Sequence, residues 1–155
     1  MENVWFKECS GGRRFLVKIS QGEWLVESLC RFAAEAGVRS AVILSAVGSV
    51  TRVTFRGIKA GAKLPITEAR MTVHDVEGPL ELLGLEGNMV PNDQGQCDCH
   101  LHILMSRSSG EVIGGHLFDA RVFASCEIIL SEFHGAGVER HMSQSGGIST
   151  IYLED

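Results

Sequence analysis

Three histidines carry the chemistry most directly available to this sequence. His100 and His102 lie two apart in an apolar run with Leu101, Ile103, Leu104 and Met105, and His116 follows beyond the next turn. In a β-strand, residues i and i+2 share a face, so His100 and His102 point the same way. The run ends in Arg107-Ser108-Ser109-Gly110-Glu111, where a three-residue loop with Gly110 in the left-handed conformation makes a common hairpin connection. Pairing Arg107 with Glu111 then sets His102 directly opposite His116. Directly opposed residues share a face, with Cβ atoms about 4.5–5.5 Å apart.

A single histidine in a strand is more often a half-buried, hydrogen-bonded residue than a ligand. Three that converge are a different matter, because they leave coordination positions open to water or substrate. The donor set suits a divalent transition metal, zinc in the first place, with nickel, copper or iron(II) compatible. A one-residue slip in register would send His116 to the other face. Gly114 and Gly115, beside it, mark either a close approach or a bulge.

Five cysteines stand at 9, 30, 97, 99 and 126, an odd and scattered set that suggests no disulfide framework. In a regular strand Cys97 and Cys99 take the face of Leu101 and Ile103, away from the histidines. They are therefore left out of the site, and the cysteines are read as small apolar residues.

The elements that must position the histidines follow from pattern. Arg14–Ile19 reads as a strand, entered through a turn at Gly11-Gly12. Ser20-Gln21-Gly22-Glu23 has the form of a capping box, ahead of a helix with Leu25, Leu29, Phe32, Ala33 and Ala36 as its buried stripe. Gly37 stops that helix. Ser40–Val47 and Ser49–Arg56 read as strands bent at Gly48, and Gly57–Pro65 as a loop. Arg70–Val76 and Leu80–Leu85 read as strands separated by Gly78-Pro79. Gly87–Gly95 is a loop into the histidine hairpin. Ala120–Phe133 is long enough to bend or cross between sheet regions. Residues 134–147 read as a flexible segment holding His134 and His141 in solvent, with Ile148–Leu153 as a short closing strand.

At 155 residues and 45% hydrophobic content the chain, 1–155, reads as one domain. Its net charge of −5 and lack of a like-charge block give no footprint for a nucleic-acid backbone or a membrane surface. Residues 1–8 lack a basic region followed by an apolar core, and no apolar run reaches spanning length, so the expected location is the cytoplasm.

Taken in order, Val73-His74, then Gly78-Pro79-Leu80-Glu81-Leu82-Leu83-Gly84-Leu85-Glu86-Gly87, then His100-Leu101-His102, then Gly110 with Val112-Ile113-Gly114-Gly115-His116-Leu117 form a series far more specific than a lone His-x-His. The chain resembles the PPC domain of plants and prokaryotes, also called DUF296 or PCC, over most of its length. The resemblance implies an α/β (α+β) fold, mainly an antiparallel sheet flanked by helices and assembled as a homotrimer. It further implies that His100, His102 and His116 occupy the family's clustered histidine positions, where bacterial members can hold a metal. In plants the domain follows an AT-hook, a basic arm around Arg-Gly-Arg. This chain has no such core, so the DNA-binding label attached to bacterial relatives finds no direct support in it.

Two functions follow. The first is a trimeric interaction or regulatory module, with a protein partner or a small-molecule ligand, in which the metal braces the hairpin. The second is a small metal-dependent enzyme, hydrolase- or decarboxylase-like; the fold also resembles that of acetolactate decarboxylase, whose histidine-bound zinc activates a small substrate. An enzyme needs a general acid or base, for which Glu81 and His74 are the candidates. Asp119 is a candidate to orient a ligand imidazole, with a turn role as the alternative.

Overall fold

Runs of β-branched and apolar residues make most of this chain strand, and those runs pair into one nearly continuous antiparallel sheet. The computed structural model describes residues 4–153. The elements are β1 (Ser10–Ser20), α1 (Leu25–Ala36), β2 (Ala41–Ile58), a 3-10 turn (Glu68–Arg70), β3 (Met71–Pro91), β4 (Cys97–Ser106), β5 (Val112–His134), β6 (Val138–Met142) and β7 (Ser149–Leu153). The main sheet runs β1-β5-β2-β3-β4, and β4 also pairs with β5. That last pairing closes β2, β3, β4 and β5 into a ring. β6 and β7 form a separate two-stranded sheet.

The buried face is filled by Val50, Val53, Leu82, Leu101, Ile103, Met105 and Val122, among others. Helix α1 lies against β4 and β5 through Leu25, Leu29 and Ala33. Phe15 of β1 meets Phe32 of α1 edge-on, with ring centroids 5.1 Å apart. Among the described residues the fold is thus a mostly antiparallel sheet with one α-helix.

Several expectations change, and residues 87–91, expected in a loop, continue β3 against β4. The capping box does not form: Ser20 stays in the β1 ladder opposite Ser125, and α1 begins after Trp24 with no side-chain cap from its own turn. The amide of Val26 is instead met by Asp119 of β5, at 2.8 Å. Next, the two breaks at Gly48 and Gly78-Pro79 are not breaks. Each lies within one long strand, where the register shifts. At Gly78 an added Cβ would fall 2.6 Å from the Val50 carbonyl oxygen, so the chains approach there as only glycine allows. Lastly, residues 134–147 carry β6, with Val138 and Arg140 buried. Gly37 does stop α1, in the left-handed conformation at φ 64°.

Candidate metal centre

The hairpin that carries the histidines closes through Arg107, whose amide donates to the Glu111 carbonyl at 2.9 Å, with Gly110 at φ 85° in the loop. The ladder then runs from Ser106 opposite Val112 to His102 opposite His116, the register that the loop spacing predicts. Close backbone approach holds it: a Cβ at Gly114 would lie 2.1 Å from the Ile103 carbonyl oxygen, and one at Gly87 would lie 2.0 Å from that of His100. Glycine is therefore required on both sides of β4, and the strand sits between β3 and β5 with little freedom to slide.

The three imidazoles meet. Ring centroids are 5.2 Å apart for His100 and His102, 5.1 Å for His100 and His116, and 5.6 Å for His102 and His116. One ring nitrogen from each falls within 4.8 Å of the others, a spacing that one ion can bridge. The charge state fits as well. Burial, with Arg56 next to it, pushes the His116 imidazolium down to about 4, and burial with Arg140 lowers that of His100. A neutral imidazole is the form that ligates a metal. The donor set therefore fits a divalent transition ion held by three histidines, with positions left over for water or ligand.

The ladder also fixes the neighbours. Arg56 lies opposite His116 on β2, Asn88 opposite His100 and Glu86 opposite His102 on β3. The Arg56 guanidinium stands 5.4 Å from the centre of the Phe118 ring, which meets His116 edge-on. From β6, the buried Arg140 reaches across. Its Nη2 donates to Asn88 Oδ1 at 2.5 Å, its Nη1 lies 3.5 Å from His100 Nδ1, and its Nε pairs with Asp98 Oδ2 at 3.3 Å without hydrogen-bond alignment. Asp98 Oδ2 also accepts from Ser149 Oγ of β7 at 3.3 Å. Arg56, Asp98, Arg140, Ile148 and Ser149 line a pocket of about 490 Å³ together with the three histidines.

The structure does not bring Glu81 or His74 to the histidines. His74 shares the opposite face of the sheet, where it stacks on Phe55 at 5.0 Å. Glu81 lies opposite Ser106, about 13 Å along the strand from His102 at the usual rise per residue. Asp119 does not orient His116; it accepts from the amides of Val26 and Ala120, and burial raises its pKa. Sequence reasoning missed Arg56, Glu86 and Asn88, which strand pairing alone brings in. It also missed Arg140, which sits in the segment read as flexible. Cys97 and Cys99 do take the face away from the histidines, as strand alternation requires, but there they meet Cys30 of α1.

Residues 6–134 match the family model of the Plants and Prokaryotes Conserved (PCC) domain. A crystal structure of a metal-containing protein from Archaeoglobus fulgidus superposes with a TM-score of 0.83 at 30% identity, covering 97% of this chain and 100% of that one. A plant- and prokaryote-conserved (PPC) protein from Pyrococcus horikoshii superposes at 0.81 with 27% identity, over 97% and 98% of the two chains. AT-hook motif nuclear-localized protein 29 of Arabidopsis thaliana is 32% identical over 130 residues, which is 83% of this chain and 42% of that protein. The chain spans only part of its curated relatives, as little as 19% of one of them. No helix among the described residues is long and apolar enough to cross a membrane.

Proposed function

Because the chain belongs to the Plants and Prokaryotes Conserved domain family, we propose that it works as a homotrimeric regulatory module. In this reading a divalent transition metal, zinc in the first place, rests on His100, His102 and His116, and its open side receives a small anionic ligand. One observation carries the reading: three imidazoles and two guanidiniums, Arg56 and Arg140, face a single pocket. A dication set beside two fixed cations is repelled by them, and an anion bridging the three relieves that repulsion. The metal-containing archaeal relative supports the ion.

Support for assembly comes from the outer sheet face, where Leu16, Val42, Leu44, Val47 and Ile129 are exposed on β1, β2 and β5. Leu16 and Ile129 are paired in register, so the apolar residues form a patch rather than scattered points. A trimer interface or a protein partner would cover it. Direct DNA contact is not part of this reading, since the net charge is −5 and a nucleic-acid backbone is held by an extended positive surface.

The test is calorimetric titration of the zinc-loaded protein with a panel of di- and tricarboxylates and phosphate esters, alongside sedimentation equilibrium. Binding that requires both zinc and Arg56, in a particle of three chains, is the expected result. A monomer that binds none of the panel contradicts it.

A second reading, a metal-dependent enzyme, is favoured by a carboxylate beside the histidines. In that reading the proton-transfer carboxylate is Glu86, the register partner of His102, which lines a smaller cleft with His100 and His102, rather than Glu81 or His74. Turnover of an ester, lactone or β-keto acid that disappears in Glu86→Gln with zinc still bound would select it.

A further inference from the structure

Strand β4 reads Cys-Asp-Cys-His-Leu-His from residue 97, and alternation sends its two donor types to opposite faces. The histidines face the pocket described above. On the other face Cys97 and Cys99 meet Cys30, which projects from α1. The Sγ separations are 2.8 Å for Cys30 and Cys97, 3.6 Å for Cys30 and Cys99, and 3.9 Å for Cys97 and Cys99. All three are free thiols.

We propose that Cys30, Cys97 and Cys99 form a second metal site, a three-sulfur set for a soft monovalent ion of the Cu(I) type, tying α1 to β4. Sulfurs held about 2.3 Å from one ion are spaced about 3.8–4.0 Å apart in tetrahedral or trigonal arrangement. Two of the three edges already have nearly that length. The third reaches it when Cys30 withdraws by about 1 Å, a small side-chain adjustment on a helix that makes no ladder bonds with β4.

No carboxylate or imidazole joins this group among the described residues. Thiolates are soft ligands suited to Cu(I), and three sulfurs alone complete a trigonal shell for that ion, so the monovalent ion is the one proposed. An entrance exists: Cys30 and Cys97 line a surface cleft of about 690 Å³ between the end of α1 and the turn before β4, with Gly37, Arg39 and Gln96 on its walls. Cys99 closes the site from the core side. Each thiol that coordinates releases its proton to solvent, so uptake of the ion is coupled to proton release and no electron changes hands.

The experiment uses the full chain, reduced and kept anaerobic, titrated with Cu(I) against a chromophoric copper chelator. One Cu(I) per chain, with an ultraviolet sulfur-to-copper band and a sulfur-only shell by X-ray absorption, is expected. His102→Ala should retain that copper, which separates this site from the imidazole site. Cys30→Ala and Cys97→Ser, checked for folding by circular dichroism, should each weaken it by more than about 100-fold, exceeding the loss usual for outer-shell partners. Copper that the chelator removes completely from wild type overturns the proposal. So does copper held equally by the cysteine variants, a shell containing nitrogen, or a Cys30–Cys97 disulfide that persists under reduction and takes up no metal.

Discussion

The two faces of β4 differ in what holds their donors in place. On the pocket face all three histidines come from paired strands, and the ladder from Ser106–Val112 to His102–His116 sets their spacing. On the other face two thiols come from the strand and the third from a helix, so their spacing depends on how α1 seats against the sheet. Backbone hydrogen bonds quantise the first arrangement in steps of one residue, and side-chain packing tunes the second continuously. The imidazole site is therefore rigid in register, and the thiol site is as exact as the helix that completes it.

That contrast can be broken from either side. The largest effect belongs to Gly114→Ala: its Cβ would lie 2.1 Å from the Ile103 carbonyl oxygen, forcing β4 and β5 apart at a cost of about 4 kcal/mol in urea denaturation. Zinc affinity should fall with it. Next comes Arg140→Met, which leaves Asp98 without its buried counter-ion. A loss of about 2 kcal/mol is expected, because Asp98 is partly exposed and the Asn88 hydrogen bond goes as well, measured the same way, with the histidine register intact.

Asp119→Ala acts on the other face. It removes the acceptor at the Val26 amide and should cost about 1 kcal/mol, the usual worth of a helix cap. Amide exchange should speed up at the start of α1 and stay unchanged across the β4–β5 hairpin.

The smallest effect is a pH slope in metal-free protein. The His116 imidazolium is pushed from 6.5 down to about 4 by burial and by Arg56, so the unfolded chain takes up the proton first. Stability should fall as pH drops from about 6.5 and level off below about 4. The slope should stay well below ~1.4 kcal/mol per pH unit because the ring is half exposed. His116→Asn should flatten it, and an unchanged slope would assign the effect to other groups.

The sequence was legible where local rules set the geometry. Period-two alternation gave the shared face of His100 and His102, and loop chemistry gave the partner of His102. It misled where a distant residue did the local work. Ser20 and Glu23 have the types of a capping box, yet Ser20 is held in β1 and the helix takes its cap from Asp119, far along the chain. Gly78-Pro79 looks like the end of a strand, but β3 passes it as an irregularity because β2 pairs on both sides. Arg140 was hidden in a glycine-rich stretch with no periodicity to mark its burial. Cys30 gave no signal at all, since nothing in a helical pattern says which strand residues its side chains will meet.

The most direct test of the imidazole site is metal content per chain, by elemental analysis of untagged protein reconstituted with zinc, wild type against His102→Ala. One zinc per wild-type chain, lost in the variant, is the predicted result. Wild type without zinc, or a variant that keeps it, would contradict the assignment of His100, His102 and His116 as the metal's ligands.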